Sequence, residues 1–398
     1  MNENTTNNRT ERTQVTVKNA AFCTAILLIF SIGLSSLALA SGNQPVKNMA
    51  NASRITIEVD PRVELIGIVF RLAGNPEYGD SSLRPYAKAI ERHFGGFSSH
   101  PVVRMAVQLR NTRLMSADGP MSLAIHIDHN FRARKTFEQW PWEGLDDRWE
   151  KQETKEFIEK LQQFAAQTKF NEFFKAQAPL YEKGILACKN FMLQYPDISK
   201  WFDEFFGATT NDELKLVLGF VNGRGNYGPK FQSGQTREKY AIVAPLASPG
   251  GDPAFMLQEY GITIHEFCHS FTNPVVDKYT EQLRPAGEKL FAAHSQAMRM
   301  RGYQNWESMM YETAVRACVG NFARNSLETM HSDYYFQREV SHGFLWTKDL
   351  TDMLKKYESN PAKYPTFESF FPEIVDFLNE YASETAQLGK YRKTETGK

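Results

Sequence analysis

A short apolar segment of the chain, Ile262–Phe271, contains two histidines and a glutamate, and it restricts the possible folds more than any other feature. His265 and His269 are four residues apart, so on a helix they project from the same face, with Glu266 beside them. The surrounding residues are apolar, which predicts a buried helix whose polar groups need partners from neighbouring elements. The fold must therefore enclose this helix on most of its sides.

Two imidazoles one helical turn apart can bind the same metal ion, and neutral nitrogen ligands suit Zn²⁺. Zinc can lower the pKa of a bound water molecule to about 7, and Glu266 lies close enough to accept a proton from that water and to deliver it to a leaving amine. The chain contains nine histidines, so a chance occurrence of this spacing has odds of roughly one in a hundred. The alternative is a pair of core histidines with satisfied hydrogen bonds beside a salt-bridged glutamate, and the metal site is the favoured interpretation.

A catalytic zinc site requires a third protein ligand. Glu312 is the strongest candidate because it lies in an apolar helical segment, Trp306–Phe322, where a carboxylate needs a reason to be buried. An ion pair with Arg316, four residues later, would also explain it. Glu307 and His294 are the alternative ligands, although the helix dipole already accounts for a glutamate in the first turn of this segment.

These motifs resemble those of known metallopeptidases. The pattern His-Glu-x-x-His at residues 265–269, followed by a helical Glu312, is similar to the gluzincin branch of the zincins. More widely, the chain resembles a family of exported bacterial proteins that is catalogued as a domain of unknown function and expected to contain peptidases. Four segments carry this likeness: His265–Pro274, Tyr311–Ala317, His342–Phe344 and Tyr364–Phe367.

The resemblance implies that Zn²⁺ is bound by His265, His269 and Glu312. It implies that Glu266 acts as general base and general acid, and that the fold has a zincin-like core. It also implies an edge strand above the site that pairs with an extended peptide substrate, and Lys239–Pro245 is the natural choice for this strand.

The chain departs from the best-known gluzincin pattern at one position. The carboxylate expected four residues after the third ligand is replaced by Arg316, which leaves the groups that orient the metal ligands undefined. Such enzymes also use a histidine or tyrosine downstream of the third ligand to stabilise an oxyanion. Four residues qualify by position: His331, Tyr334, Tyr335 and His342. His342, which is followed by a glycine, is the preferred choice.

The N-terminus has the pattern of an export signal. Basic residues precede an apolar run that begins at Ala20, and the small residues Ala38 and Ala40 form a signal-peptidase site. We expect residues 1–40 to be a cleaved signal peptide and residues 41–53 to be a short linker. The alternative is an uncleaved anchor, since the apolar run nearly spans a bilayer. Cleavage predicts an exported protein, periplasmic or extracellular, without stable membrane insertion.

Composition and charge narrow the class of protein further. Hydrophobic residues make up 42% of the 398 residues and charged residues 23%, which is typical of a globular chain. There are 46 basic and 46 acidic residues and hence no net charge, so an electrostatic site for nucleic acid is not expected. Signal cleavage would leave three cysteines, Cys188, Cys268 and Cys318. This odd number argues against a disulfide framework, and we expect all three to be buried.

Strand-like patterns are few and helical patterns are many. Three segments read as strands: Arg54–Val59, Leu214–Val221 and Lys239–Pro245. The Gly-rich loop Asn222–Gly234 predicts an antiparallel hairpin between the last two. We expect one helix to begin after Asp60 and another after Asp252, because each aspartate is followed by a proline. The phenylalanines of Phe157–Phe174 are expected to form the core-facing stripe of a helix.

This pattern indicates an α+β fold that is predominantly helical. We expect a helical N-terminal lobe over residues 54–210 and a catalytic lobe with a small antiparallel sheet over residues 211–398, with zinc and substrate in the cleft between them. The predicted function is that of an exported zinc-dependent hydrolase, specifically a metallopeptidase that acts on a peptide or protein substrate. The alternative is an exported binding protein with the same fold and no turnover.

Overall fold

The computed structural model describes residues 54–79, 83–206, 212–223 and 225–395, so the predicted signal peptide and linker lie outside the described residues. The helices are α1 (Pro61–Leu72), α2 (Pro76–Gly79), α3 (Arg84–Phe94), α4 (Pro101–Arg113), α5 (Asp118–His126), α6 (Lys151–Gln167), α7 (Phe170–Ala176), α8 (Ala178–Met192), α9 (Ile198–Phe206), α10 (Leu257–Lys278), α11 (Thr280–Met300), α12 (Trp306–Ser326), α13 (Thr329–Ser341), α14 (Thr347–Glu358) and α15 (Phe367–Glu395). The strands are β1 (Ile55–Glu58), β2 (Glu213–Leu218), β3 (Lys230–Ser233), β4 (Thr236–Val243), β5 (Leu246–Ala247) and β6 (Pro253–Ala254). The prediction of a mostly helical α+β fold is confirmed at this level.

The prediction of a small antiparallel sheet is wrong, because the main sheet is mixed, with the strand order β1-β2-β4-β3. Strands β1 and β4 run parallel to β2, and β3 runs antiparallel to β4. Because β1 precedes residue 210 and the other strands follow it, this one sheet includes strands from both of the segments that the sequence predicts as lobes. All the described residues belong to the unit formed by residues 48–398.

The predicted antiparallel hairpin between Leu214–Val221 and Lys239–Pro245 is wrong, since β2 and β4 are parallel. The hairpin forms between β3 and β4 instead, where Ser233 pairs with Thr236 across a two-residue turn. Gly234 occupies this turn with φ = 58°, a left-handed conformation that glycine adopts at little cost. The Gly-rich loop therefore contains strand β3. The chain reverses direction between β3 and β4, so that β4 runs parallel to β2.

Strand β4 is also an internal strand, so the prediction that Lys239–Pro245 forms an open edge is wrong. Strand β2 pairs with one side of β4 and β3 with the other. Beyond β3, Tyr227 continues the pairing through a bridge to Ile242. The backbone N–H groups of Tyr240 and Ile242 are bonded to the carbonyl oxygens of Pro229 and Tyr227, so this side of β4 is covered by the chain itself and is not an open edge.

Local capping signals explain where several helices begin. Asp60 caps α1 by accepting a hydrogen bond from the backbone N of Arg62 at 2.8 Å, as the sequence predicts. The corresponding prediction for Asp252 is wrong, because Pro253 pairs in β6 with β5. Helix α10 begins only at Leu257, where the Glu259 side chain accepts from the backbone N of Met256 at 2.8 Å.

The predicted core-facing aromatic stripe is confirmed, but it is divided between two helices, because α6 ends at Gln167 and α7 begins at Phe170. The side chains of Phe157, Phe164, Phe170 and Phe173, on α6 and α7, are all buried in the core. The three cysteines of the described residues are likewise buried and free of disulfide bonds, as expected. Among the residues that the structure describes, no helix is both long and apolar enough to cross a membrane.

Helix α10 lies at the centre of the C-terminal half of the chain. It packs against β4 on one side and against α12 on another, while α12 also contacts α11, α13 and α14. The ammonium of Lys239 on β4 lies 3.2 Å from the centre of the Phe271 ring on α10, and this contact fixes the helix to the sheet. Both helices that carry the sequence-predicted ligands are thus held between other elements.

Candidate metal centre

The structure brings His265, His269 and Glu312 together. The two histidines lie one turn apart on α10, and Glu312 faces them from α12. Nε2 of His265 is 3.4 Å from Oε2 of Glu312, and Nε2 of His269 is 3.4 Å from Oε1. One ligand atom from each residue lies within 4.8 Å of the others. These three atoms could therefore contact a single metal ion.

The alternative third ligands lie elsewhere. Glu307 is in the first turn of α12, where Asn305 caps the helix by accepting from the backbone N of Ser308 at 2.9 Å. His294 is on α11, with its ring 5.6 Å from that of Trp346. Neither residue belongs to the group of ligand atoms around Glu312.

The charges of the site favour a cation between these side chains. Burial alone would raise the pKa of Glu312, but His265 and Arg316 outweigh this effect and hold it well below its usual value. Burial also opposes protonation of His269, yet its hydrogen bond to Glu312 raises its pKa to about 9. For His265, burial prevails and lowers the pKa. A bound metal ion would replace the proton that His269 otherwise holds.

The donor set fits zinc. The second ring nitrogen of His269, Nδ1, lies 3.2 Å from Oδ1 of Asn273, one turn further along α10. If Nδ1 carries the proton and donates it to this amide oxygen, Nε2 is left with a lone pair toward Glu312. The side chains of His265 and His269 are 20% and 16% exposed. Solvent can therefore reach the site, as an open coordination position requires.

Glu266 lies beside the candidate metal ligands in a more enclosed position. The residue is only 8% exposed, and burial raises the pKa of its carboxyl group to about 8, with Glu312 and Asp118 adding to the effect and His269 opposing it. Its backbone is in contact with the chain before β3, since a Cβ atom on Gly228 would lie 2.1 Å from the Glu266 carbonyl oxygen. Only glycine allows so close an approach.

Arg316 connects Glu312 to a second buried carboxylate. Its Nη2 donates to Oε2 of Glu312 at 2.8 Å and to the hydroxyl of Tyr303 at 3.0 Å. Its Nη1 donates to Glu339 of α13. The sequence offers an ion pair with Arg316 as an alternative to metal binding by Glu312. In the structure Glu312 forms this ion pair and also lies close to both histidines. Sequence reasoning missed Tyr303 and Glu339, and an arginine within an apolar helix is the signal that could have prompted a search for them.

The predicted oxyanion donors have different surroundings. His342 follows α13, and its Nδ1 lies 3.9 Å from Oε2 of Glu339, so Glu339 and Arg316 stand between it and Glu312. Burial lowers the pKa of His342 to about 4, although Glu339 opposes this. Tyr335 is buried and donates to the backbone oxygen of Arg316 at 2.8 Å. Tyr334 is 56% exposed, and His331 lies in the first turn of α13.

Residues 55–377 match the family described as Domain of unknown function (DUF4932). The chain belongs to this family. No curated protein and no solved structure matches the chain. The DUF4932 match includes α10, α12 and α13, and hence every residue that contributes to the candidate metal centre. The description of the family names neither an activity nor a metal.

Proposed function

We propose that this DUF4932 protein is an exported zinc-dependent peptidase with a zincin-like catalytic core. The observation that carries the proposal is the convergence of two histidines and a glutamate, from two helices, beside a fourth buried residue, Glu266. Two imidazoles and one carboxylate are a common ligand set of catalytic zinc sites, which keep one position open. The partial exposure of both histidines supports such a position.

In this proposal, Glu266 moves the proton. A zinc ion held by His265, His269 and Glu312 would supply Lewis acidity at the substrate carbonyl and lower the pKa of a bound water. Glu266 would accept a proton from the attacking water and deliver it to the leaving amine. Its low exposure supports this role, because burial raises the pKa of its carboxyl group to about 8. A group whose pKa lies near neutral pH can both accept and donate a proton effectively.

Two residues are proposed as donors to the developing oxyanion. His342 remains the choice from the sequence. Tyr303 is a second candidate, because its hydroxyl accepts from Arg316 at 3.0 Å and lies against the Glu312 carboxylate. Tyr303→Phe and His342→Ala can be compared directly. Replacement of the residue that stabilises the oxyanion should lower kcat by about 100-fold, with little change in zinc affinity.

Export and the substrate class are part of the same proposal. The pattern of residues 1–40 supports export to the periplasm or the extracellular medium. The lack of net charge supports a peptide or protein substrate over a nucleic acid.

The test is the Glu266→Gln variant, compared with Glu259→Gln. Glu259 is another buried glutamate of α10, and a glutamine there keeps the oxygen that caps the helix. Both variants should retain zinc. Glu266→Gln should lose at least about 100-fold in hydrolysis of a mixed peptide library, and Glu259→Gln should not. Full activity of Glu266→Gln would refute the mechanism, and a zinc-bound parent that hydrolyses nothing would favour the binding protein.

A further inference from the structure

We infer that Arg316 and Glu339 are positioning residues of the metal site, which hold the Glu312 carboxylate in the orientation that a metal ion requires. The inference rests on the proposed function, since it takes Glu312 as the third ligand. It assigns a role to two buried charged residues on α12 and α13 that the proposed reaction does not itself use. We call Glu312, Arg316 and Glu339 the carboxylate clamp.

The contacts of the clamp are direct and buried. Nη2 of Arg316 lies 2.8 Å from Oε2 of Glu312, and Nη1 donates to Oε2 of Glu339. The side chains of Glu312, Arg316 and Glu339 are 11%, 9% and 0% exposed. A charged group removed from water to this extent is retained only where partners compensate for its lost hydration. Each member of the clamp therefore depends on the others.

Neighbouring side chains fix the guanidinium in one orientation. Its Cζ lies 4.3 Å from the centre of the Phe344 ring, and Nη2 also donates to Tyr303 at 3.0 Å. Glu339 is held in turn by Arg338, whose Nη2 donates to Oε1 at 3.0 Å. An arginine that packs against a ring and is hydrogen-bonded at both terminal nitrogens keeps its planar geometry without further loss of entropy when a ligand binds.

The arrangement keeps both oxygens of Glu312 close to the histidines. Oε1 lies 3.4 Å from Nε2 of His269, and Oε2, which accepts from Arg316, lies 3.4 Å from Nε2 of His265. Since the clamp sets the side-chain torsions of Glu312 before any metal arrives, binding requires little reorganisation.

Glu339 also determines how the guanidinium is shared. Arg316 divides its hydrogen bonds between Glu312 and Glu339, and Arg338 pairs with Glu339 from the other side. These two carboxylates and two guanidiniums carry no net charge. The network therefore acts by orienting the Glu312 carboxylate and not by adding charge at the metal site.

The test is the zinc affinity of Glu339→Gln, measured by competition with a chelator on the full chain. Replacement of a residue that orients a metal ligand typically weakens binding by about 10–100-fold, and we expect a loss in this range. Glu358→Gln is the matched control. Glu358 on α14 also accepts hydrogen bonds from α12, from Asn321 at 2.9 Å and Asn325 at 3.1 Å, but at the other end of the helix, so its zinc affinity should equal that of the parent.

A second variant covers the case in which Glu339→Gln does not fold. Arg316→Lys keeps the positive charge beside Glu312, but one ammonium group cannot hold Glu312 and Glu339 in the same planar geometry. It should weaken zinc binding by about tenfold or more, with a circular dichroism spectrum like that of the parent.

The outcomes separate the two proposals. If the parent binds zinc and both clamp variants keep the parent affinity, the clamp is refuted and the metal site stands. If Glu358→Gln weakens binding as much as Glu339→Gln, the effect is a general loss of α12 packing and the clamp is refuted as well. A parent that binds no zinc overturns the clamp together with the proposed function.

Discussion

Replacing Gly228 by alanine should disturb the candidate site through the backbone, without touching a metal ligand. A Cβ atom at this position would lie 2.1 Å from the carbonyl oxygen of Glu266, 2.9 Å from its carbonyl carbon and 3.2 Å from its Cα. All three are backbone atoms of a helix, so none can rotate away. Restoring a normal contact distance of about 3.5 Å requires the segment before β3 to move by more than about 1 Å.

The energetic cost of this movement follows from its size. Overpacking a close contact typically costs about 1–3 kcal/mol, and we expect Gly228→Ala to lower the free energy of unfolding by this amount. The three atoms nearest to the added Cβ all belong to Glu266 and not to a proposed ligand, so the zinc content should be that of the parent. A displacement of about 1 Å beside Glu266 can reduce catalysis by about 100-fold, and kcat on any peptide that the parent cleaves should fall accordingly.

The assay is urea denaturation of metal-loaded protein, with Gly250→Ala as the control. A Cβ atom on Gly250 would meet only the Ser248 hydroxyl, at 3.7 Å, which is an ordinary contact. The unfolding free energy of this control should stay within about 0.5 kcal/mol of the parent. If Gly228→Ala is as stable as the control and equally active, then the close approach of this segment to α10 is wrong.

Two further predictions concern single side chains. Burial alone would raise the pKa of Glu238, but hydrogen bonds from Arg134, Lys215 and Tyr240 lower it to about 2. The ionised form of Glu238 therefore stabilises the fold fully above its unfolded pKa of about 4.5. As the pH falls from there to about 2, about 3 kcal/mol of the free energy of unfolding should be lost. Acid unfolding of Glu238→Gln should lack this loss. Asn273→Ala removes the oxygen 3.2 Å from Nδ1 of His269 and should weaken zinc binding about tenfold in a chelator competition, whereas an unchanged affinity would show that the amide does not orient the ring.

Features encoded by a few neighbouring residues could be predicted from the sequence. The cap at Asp60 and the cap at Asn305 place the starts of α1 and α12, because each side chain bonds a backbone N–H within three residues. The pairing of His265 with His269 follows from helical periodicity alone. Glu312 could be chosen over Glu307 because a carboxylate surrounded by apolar residues needs a partner.

Features that depend on distant segments could not be predicted in the same way. The direction of β4 relative to β2 depends on β3, whose four residues the sequence does not distinguish from the loop around them. Arg316 meets Glu339 and Tyr303 at separations of 23 and 13 residues, and no periodicity links these positions. The start of α10 is another such feature, since Asp252-Pro253 fits a local capping pattern but pairs in β6 instead.

The central claim, a zinc site formed by His265, His269 and Glu312, is tested most directly by the metal content of the purified protein. Elemental mass spectrometry of the parent, Glu312→Ala and Glu307→Ala should find about one zinc per chain in the parent and in Glu307→Ala, and little in Glu312→Ala. Zinc retained by Glu312→Ala would contradict the assignment of the third ligand. A parent that holds no metal, even after reconstitution with zinc, would contradict the metal centre itself.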